Sequence, residues 1–317
     1  MVGAGVSGLT AAWGLSTLHE VTLFESASYL GGHANTVFVK GDIDLPVDTG
    51  FIVFNEQNYP FFTAILKLLN VSTLPTSMSF GVSVDGGNFE YSSASLPKAI
   101  FSYSNLRSER FRTLVSGIAR LYNPLKNKNL SADSELTIGD YLRLRGFKDQ
   151  FIKDHVLPMT AAIWSSSLKD AELYPAETFI NFFNNHRLLS LFNRPCWRTI
   201  SGGSKEYVKG LVRDGSFNKH LNCPIVQVKR ASDRAILHTK DGSELDFDEV
   251  VLACHADSAL SLLSDASKEE QKVLADFNYS KNELGQMHSD IEFCKYNGVD
   301  EVVFGLLDKY KNIDLRE

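Results

Sequence analysis

Cysteine is scarce in this sequence, and the four cysteines that occur are far apart. They stand at positions 196, 223, 254 and 294 of 317 residues, without a C-x-x-C spacing. Sparse thiols in such an arrangement indicate neither a disulfide framework nor a zinc site. We therefore expect reduced cysteines, a cytoplasmic protein and no bound metal.

An excess of basic charge and long apolar stretches are lacking as well. Acidic residues outnumber basic ones by 38 to 32, which gives a formal net charge of −6. Nucleic-acid binding needs a concentrated positive surface, so we exclude a nucleic acid as partner. No apolar run approaches the roughly 20 residues that span a bilayer, so no transmembrane segment is expected, while peripheral contact with a membrane stays open.

The N-terminal segment carries a G-x-G-x-x-G pattern, GAGVSG, over residues 3–8. A predicted helix, Leu9 to Leu18, and a predicted strand that ends on Glu25 follow it. In dinucleotide-binding folds such glycines form the turn between a strand and a helix, and a carboxylate about 20 residues later binds the ribose. Glu25 follows Gly3 by 22 residues, which matches this arrangement.

The rest of the chain alternates between strand and helix patterns. Two antiparallel hairpins are predicted in TVFVKGDIDLPVD and FGVSVDGGNFEYS, with a helix over residues 59–70 between them. Residues 96–200 are predicted to be mostly helical, and Arg107 to Arg112 is expected to form a solvated helix face. Nearer the C-terminus, the apolar run Val250 to Ala253 predicts a parallel strand that is buried on both faces.

Longer motifs connect these elements to a known family. GAGVSG, Glu25, YLGGHANT and VDTGFIVFN occur in this order, and MTAAIWSSS, GGSKEYV, VVLACHAD and KNELGQMHSD follow. Together they resemble the flavin-containing amine oxidoreductase superfamily, from residue 3 to about residue 290. Within it the chain is most similar to a branch of FAD/NAD(P)-binding oxidoreductases that occur beside, or fused to, cyclopropane-fatty-acid-synthase-like methyltransferases.

This resemblance implies an α/β fold of the glutathione-reductase-like type. It would consist of a Rossmann-like FAD-binding domain with an inserted mixed, largely helical substrate domain. The FAD-binding domain would comprise residues 1–58 and 200–290, and the substrate or cap domain residues 59–199. Residues 291–317 do not resemble the family and are interpreted as a divergent C-terminal tail.

The resemblance also implies a set of contacts with FAD. Glu25 would bind the adenosine ribose, and the doublet Gly31-Gly32 with His33 would line the pyrophosphate and the flavin edge. The main chain of Ile225 or Val226 would meet the adenine, and Ala253 would lie near the dinucleotide. The residues of the first turn that would approach the pyrophosphate are Gly3, Gly5, Val6, Ser7 and Gly8.

Several side chains have both a functional and a structural interpretation. His33 is either a cofactor contact or a satisfied structural residue, and it replaces an arginine found there in many amine oxidases. His255 is interpreted as a structural or loop residue and Cys254 as an inert buried thiol. Four residues are candidates to face the flavin or a lipid-like substrate, although such residues are more often core: Asn55, Tyr59, Met78 and Trp164.

The implied function is FAD-dependent oxidation of the amine-oxidase-like type. Hydride would pass from a C–H bond to the flavin, with O2 or another acceptor regenerating it, so no protein side chain is assigned as catalytic. A fatty-acyl or other lipid substrate and a lipid methyltransferase partner are finer hypotheses. The alternatives are a truncated, catalytically inactive homologue that acts as an interaction partner, and an NAD(P)-only dehydrogenase, which the YLGGHANT doublet disfavours.

Both ends of the sequence depart from the family pattern. Only Met1 and Val2 precede the glycine turn, where the fold needs a parallel strand of about five residues. After Met287 to Asp290 the resemblance stops, and we therefore expect a chain that is truncated at both ends. Loss of a central strand would leave backbone groups of its neighbours unpaired, each costing about 1 to 3 kcal/mol.

Overall fold

The computed structural model describes most of the chain in two compact units. The first unit comprises Met1–Val53, Pro60–Leu74 and Thr199–Ser280, and the second comprises the remaining residues. The residues described are 1–39, 45–76, 78, 81–84, 88–92, 107–123, 135–164, 166–190, 194–277, 279 and 302–303.

Helices and strands alternate in the first part of the chain, and helices dominate its middle. The helices are α1 (Val6–Leu15), α2 (Pro60–Leu68), α3 (Glu109–Leu121), α4 (Ile138–Leu144), α5 (Asp149–Phe151), α6 (Leu157–Trp164), α7 (Leu168–Leu173), α8 (Ala176–Asn185), α9 (Lys205–Asp214), α10 (Ala256–Leu262) and α11 (Lys268–Ala275). A π-helical turn, Ile152–Val156, joins α5 to α6. The strands are β1 (Val21–Phe24), β2 (Thr36–Val39), β3 (Leu45–Asp48), β4 (Phe54–Asn55), β5 (Thr73–Thr76), β6 (Gly81–Val84), β7 (Phe89–Ser92), β8 (Trp197–Ile200), β9 (Phe217–His220), β10 (Ile225–Arg230), β11 (Ala235–Thr239), β12 (Glu244–Phe247) and β13 (Val302–Val303).

The first unit is built around a small parallel sheet. β1 pairs in parallel with β9, with Val21 opposite Phe217 and Phe24 opposite His220. Val2 forms parallel bridges to Phe24 on one side and to Leu252 on the other. The predicted strand at Glu25 and the predicted helix after the glycines are confirmed, although α1 starts three residues earlier than expected, at Val6.

Met1 and Val2 occupy the central position of this parallel arrangement. Phe24 N donates to Met1 O (2.9 Å) and Gly3 N donates to Phe24 O (2.9 Å). On the other side Val2 N donates to Val251 O (3.0 Å), and Ala253 N donates to Val2 O (2.8 Å). The expectation of unpaired backbone groups beside the glycine turn is therefore wrong for these positions, because two residues of extended chain suffice to hydrogen-bond both neighbours.

The predicted buried strand Val250 to Ala253 is not a regular strand. Leu252 makes a single parallel bridge, to Val2, and Val251 is 41% exposed. The apolar run is therefore not buried on both faces. Its described pairing partner is the short extended segment Met1 to Val2, so the ladder ends after one bridge.

Two antiparallel elements complete the first unit. β10, β11 and β12 form a three-stranded sheet, and β2 pairs with β3 as the predicted hairpin. The turn of that hairpin, at Gly41-Asp42, lies outside the described residues. A small core holds the three-stranded sheet against the parallel strands, and it includes Val2, Phe24, Ile225, Val228 and Leu237.

Helix α2 belongs to the first unit, whereas the sequence placed it in the substrate domain. Its Phe62 ring packs edge-on against Tyr207 of α9, with a centroid distance of 5.2 Å. Leu69, just beyond α2, lies against Gly210, where an ideal Cβ would fall 3.2 Å from the Leu69 Cβ. The missing side chain of Gly210 thus lets the two segments approach closely.

The second unit is mostly helical, as predicted. Its core consists of aromatic and aliphatic side chains from α3 to α8, among them Leu142, Phe151, Phe179 and Phe183. The second predicted hairpin is confirmed as β6 and β7, and β13 pairs with β6. The turn at Asp85 to Gly87, the segment KNELGQMHSD and the C-terminal tail apart from β13 lie outside the described residues.

Candidate functional site

The glycine turn opens directly into helix α1. Gly5 is the N-cap residue of α1, in an extended conformation, and the helix begins at Val6 and Ser7. The first N–H groups of a helix have no acceptor within that helix, and glycine has no side chain with which to cap them. The turn therefore presents backbone donors and the positive end of the helix dipole, a combination that favours an anion.

The three glycines of the turn have different surroundings. Gly3 has a φ of +98°, and an ideal Cβ on it would lie 2.7 Å from the carbonyl oxygen of Ala253. An ideal Cβ on Gly8 would lie only 1.9 Å from the carbonyl oxygen of Gly3. An ideal Cβ on Gly5 meets no atom within 4 Å. Neighbouring backbone atoms thus exclude any side chain at Gly3 and Gly8, while Gly5 borders open space.

Glu25 points back to this turn from the end of β1. One carboxylate oxygen accepts a hydrogen bond from Ala4 N at 2.7 Å, and the other accepts one from Ala27 N at 2.9 Å. The carboxylate is therefore held at the edge of the glycine turn by backbone donors. The oxygen bound by Ala27 N also accepts from Ser26 Oγ at 3.1 Å, whereas the oxygen bound by Ala4 N retains a lone pair that could accept a hydroxyl group of a ribose.

The glycine doublet lies beside the first turn. Gly31 N donates to Ala4 O at 2.8 Å, and Gly31 forms a parallel bridge with Gly5. An ideal Cβ on Gly32 would lie 3.0 Å from the Gly5 Cα, so the absence of a side chain at Gly32 allows the close approach. His33 follows the doublet and is exposed. The structure thus brings the doublet and His33 to the first turn.

Two predicted main-chain contacts also border this region. Ala253 lies against Gly3, and its Cβ is 3.2 Å from an ideal Cβ on Gly8. Cys223 N donates to the Glu25 carbonyl oxygen at 2.9 Å, which places the start of β10 next to the Glu25 segment. Ile225 opens β10, and the register shifts between Ile225 and Gln227. The intervening Val226 is the extra residue of this bulge and is 49% exposed.

A buried carboxylate secures the N-terminus of α9. Asp48 is 2% exposed, and its Oδ1 accepts hydrogen bonds from Thr36 Oγ1 (2.6 Å), Ser204 N (2.8 Å) and Ser204 Oγ (2.9 Å). Lys205 N donates to Thr36 Oγ1 at 3.0 Å. Asp48 and Thr36 therefore cap α9 from the β2–β3 hairpin. Asp48 lies in the VDTGFIVFN motif and Ser204 in GGSKEYV, and neither motif by itself predicts this contact.

Two of the predicted substrate residues, Asn55 and Tyr59, lie in the second unit, in the segment that precedes α2 in sequence. Asn55 is 1% exposed, its Oδ1 accepts from Asn58 N at 2.9 Å, and its Nδ2 has no partner among the described residues. Tyr59 packs against His186 with a centroid distance of 6.0 Å, and burial raises the pKa of its hydroxyl. An unpaired buried amide is costly unless a further group meets it, so Asn55 stays a candidate for a ligand contact.

The other two predicted substrate residues have different surroundings in the second unit. Trp164 stacks on Tyr174 with a centroid distance of 4.9 Å and an interplanar angle of 5°. It also packs against Phe182 and Phe183 and belongs to the edge of the aromatic core. Met78 is half-buried. At least one face of the Trp164 ring is therefore used by protein packing.

The second unit contains a buried polar network that no sequence motif predicted. Tyr91 donates to the Asp154 carbonyl oxygen (2.8 Å), so its hydroxyl oxygen accepts from His155 Nδ1 (2.9 Å). The hydroxyl of Tyr122 lies 3.3 Å from His155 Nε2, which is then the acceptor of a neutral imidazole. His155 and Asp154 belong to the π-helical turn, and burial raises the pKa of Tyr122 to about 12.

The network also corrects the prediction of a wholly solvated face from Arg107 to Arg112. Arg110 binds both carboxylate oxygens of Asp154, at 2.7 and 2.8 Å, and its guanidinium lies over the Phe89 ring. A charge run alone does not reveal which member turns inward, because the partner is 44 residues away in sequence.

Acid is expected to destabilise the folded protein through His155. Complete burial lowers the pKa of His155 to about 3, whereas an unfolded histidine titrates near pH 6.5. Between these two values the unfolded state binds more protons, so the free energy of unfolding falls as the pH falls, by at most about 1.4 kcal/mol per pH unit. Urea unfolding at about pH 7 and pH 5 should show a loss for the wild type that exceeds that of His155→Gln by about 1 to 2 kcal/mol.

The exposed His19 provides the control for this measurement. His19→Gln should retain the acid sensitivity of the wild type. Equal acid sensitivity of the wild type and His155→Gln would contradict the assignment of a buried neutral His155.

Metal-binding clusters, membrane-spanning helices and reactive thiols were considered as further functional features of the described residues. The described residues contain no group of three or more His, Cys, Asp or Glu side chains that could hold a metal ion. Within the same part of the chain, no helix has the length and apolar character needed to cross a membrane. Burial raises the pKa of the Cys254 thiol, which favours its protonated, unreactive form.

A glycine turn between an extended segment and a helix, with a carboxylate at the end of the next strand, defines a dinucleotide-binding α/β protein. The family model described as flavin containing amine oxidoreductase matches residues 6–279. The chain belongs to this family, and the family implies a flavin cofactor.

Individual relatives are more distant. Tryptophan 2-monooxygenase from Allorhizobium ampelinum is 26% identical over 188 residues, which cover 56% of this chain and 22% of that protein. The crystal structure of CLA-producing fatty acid isomerase from P. acnes matches with a TM-score of 0.60 and 17% identity, over 86% of this chain and 62% of that chain. Wild-type putrescine oxidase bound to putrescine matches with a TM-score of 0.61 and 17% identity, over the same shares.

These structural likenesses show the fold. The chain spans 62% of the length of the two solved structures and 22% of tryptophan 2-monooxygenase. These relatives are a fatty acid isomerase, an oxidase and a monooxygenase, so the shared fold does not select one substrate.

Proposed function

We propose that this chain binds FAD and acts as an FAD-dependent oxidoreductase of the amine-oxidase-like type. The observation that carries the proposal is the geometry of the glycine turn. Neighbouring backbone atoms leave no room for a side chain at Gly3 or Gly8, whereas Gly5 borders open space. A cofactor diphosphate requires such a gap next to a helix N-terminus. The Glu25 carboxylate, held at the edge of the same turn by Ala4 N, has the position expected of a ribose acceptor.

Bound FAD supplies the redox chemistry, and the residues of the chain hold and orient it. The first N–H groups of α1 would donate to the diphosphate, and Glu25 would accept a ribose hydroxyl. Gly31 and Gly32 would let the cofactor pass close to the backbone. Ala253 would border the dinucleotide, and the start of β10 would meet the adenine.

The substrate is a finer proposal. We propose a fatty-acyl or other lipid substrate and a lipid methyltransferase as partner, on the resemblance of GGHANT, MTAAIWSSS and VVLACHAD to the methyltransferase-associated branch. Oxidation of fatty-acyl compounds by the FAD-loaded protein, against a panel that also contains amines and amino acids, would test this proposal. Turnover of amines alone would contradict it.

Reconstitution with FAD tests the cofactor proposal directly. The purified chain is expected to take up FAD near stoichiometric amount, measured by its visible absorption after removal of free cofactor. Glu25→Ala should weaken FAD binding by about 10- to 100-fold, because a hydrogen bond to a charged group contributes about 1.5 to 3 kcal/mol. Glu20→Ala, at an exposed residue just before β1, is the matched control and should bind like the wild type.

Other outcomes would point to the alternatives. A folded, colourless protein that does not take up added FAD would contradict the proposal and favour an inactive homologue that acts as an interaction partner. Binding of NADH without flavin would favour an NAD(P)-only dehydrogenase. Thermal unfolding of Glu25→Ala separates a loss of cofactor binding from a loss of folding, because Glu25 also accepts from Ala4 N and Ala27 N.

A further inference from the structure

Three exposed rings form a continuous stack in the first unit. The rings of His33 and His255 have a centroid distance of 5.8 Å and an interplanar angle of 14°. His255 in turn stacks on Tyr279 at 4.7 Å and 5°. The Tyr279 hydroxyl accepts a hydrogen bond from Ala256 N at 3.0 Å, which fixes its ring next to His255.

The two histidines border the glycine turn from opposite segments. His33 follows Gly32, which approaches the Gly5 Cα. His255 follows Ala253 by two residues, and Ala253 lies against Gly3 and Gly8. The stack thus joins the two chain segments that flank the N-terminus of α1.

Permanent positive charge is lacking in these segments. Residues 1–39 and 241–267 contain neither lysine nor arginine. The N-terminal amine donates to Thr22 O at 2.9 Å, and burial lowers its pKa. His19 lies beyond the C-terminal end of α1, where its N–H donates to Leu15 O. Among the described residues, His33 and His255 are the histidines that follow the two segments in contact with the turn, and histidine can acquire a positive charge.

We propose that His33 and His255 form a proton-dependent clamp for the diphosphate of the bound dinucleotide. This inference rests on the proposed FAD binding. In this clamp the pair takes up about one proton when the diphosphate binds, because a positive charge beside the N-terminus of α1 attracts the anion. His255 is then a cofactor-positioning residue rather than the structural or loop residue that the sequence suggested.

Within the part of the chain that the structure describes, few titratable groups neighbour the pair. Tyr279 covers one face of His255, and Asp257 lies in the first turn of α10. Cys254 precedes His255, and burial favours its neutral thiol. Helix α1 carries no charged side chain, and Glu25 is engaged by Ala4 N. Lys205 of α9 is occupied elsewhere, with its Nζ 3.5 Å from the centroid of the Phe38 ring.

Binding measured as a function of pH tests the clamp. FAD affinity is determined by quenching of flavin fluorescence between about pH 6 and pH 8. ADP-ribose serves as a second probe, because it carries the diphosphate without the flavin. Uptake of one proton tightens binding by up to about tenfold for each unit of decreasing pH in the range where histidine titrates.

Variants of the two histidines distinguish the effect of their positive charge from the effect of their aromatic rings. His255→Phe retains an aromatic ring to stack on Tyr279 but cannot be protonated, and His33→Gln removes the other titratable group. Each should reduce the pH dependence for both probes, and the double variant should abolish it while thermal unfolding of the cofactor-free protein stays close to wild type. His19→Gln, at the other end of α1, should keep the wild-type pH dependence.

The inference can fail independently of the proposed function. FAD binding of ordinary strength with an unchanged pH dependence in His255→Phe and in the double variant would overturn the clamp and leave the cofactor assignment intact. If the wild type does not bind FAD at any pH, both the clamp and the cofactor assignment are overturned.

Discussion

Replacement of Gly5 by alanine is expected to weaken FAD binding by about 10- to 100-fold and to leave the fold intact. An ideal Cβ on Gly5 meets no atom of the protein within 4 Å, and the φ of Gly5 is −66°, which alanine adopts without strain. The added methyl group would instead occupy the space next to the helix N-terminus that a diphosphate needs. Loss of one charge-assisted hydrogen bond, about 1.5 to 3 kcal/mol, accounts for a change of this size.

Gly8→Ala is the matched comparison for this experiment. An ideal Cβ on Gly8 would lie 1.9 Å from the carbonyl oxygen of Gly3, so the backbone of the turn must move. Gly8→Ala should therefore lower the thermal unfolding temperature, whereas Gly5→Ala should not. FAD titration and thermal unfolding of both variants would check this, and normal FAD affinity of a folded Gly5→Ala protein would contradict the assignment of the open space to the diphosphate.

Removal of the Asp48 carboxylate is expected to lower the free energy of unfolding by about 3 kcal/mol or more. Asp48→Ala removes the acceptor shared by the half-buried hydroxyl of Thr36 and by the N–H and hydroxyl of the buried Ser204, and each group left unsatisfied costs about 1 to 3 kcal/mol. Asp48→Asn keeps one acceptor oxygen and should lose less. Chemical denaturation of the three proteins measures the difference.

Asp233→Ala provides the control for the Asp48 variants, because the Asp233 side chain is 82% exposed. It should unfold like the wild type. A loss below about 1 kcal/mol for Asp48→Ala would contradict its role as the cap of α9. FAD binding should weaken together with stability in Asp48→Ala, since Val208 of α9 lies 3.1 Å from an ideal Cβ on Gly31 and thus supports the glycine doublet.

The parts of the fold that were predicted correctly depend on neighbours in sequence. The alternation in VTLF and TVFV, and the helical period of residues 59–70, are local patterns that reflect which side chains can be buried. The spacing between Gly3 and Glu25 is also local, because a turn, one helix and one strand connect them. Because these connections are short, they hold the Glu25 carboxylate close to the glycine turn, and in the structure it accepts a hydrogen bond from Ala4 N.

The features that were predicted wrongly or missed depend on distant partners. The apolar run Val250 to Ala253 has strand composition, yet its ladder ends after one bridge to Val2. Arg110 belongs to a charged stretch, yet its partner Asp154 lies in a π-helical turn. The ring stack of His33, His255 and Tyr279 was also missed, because its members come from segments far apart in sequence.

The sequence by itself determined the family, the glycine turn with its carboxylate, and most helices and strands, because each of these is a pattern of adjacent residues or of a short fixed spacing. Only the tertiary structure decided that Met1 and Val2 hydrogen-bond both neighbouring segments, that Asp48 caps a helix 156 residues away, and that two histidines flank one turn. The physical reason is that hydrogen bonds, ring stacking and buried charge act between atoms that are close in space, and long-range proximity leaves no mark on local composition.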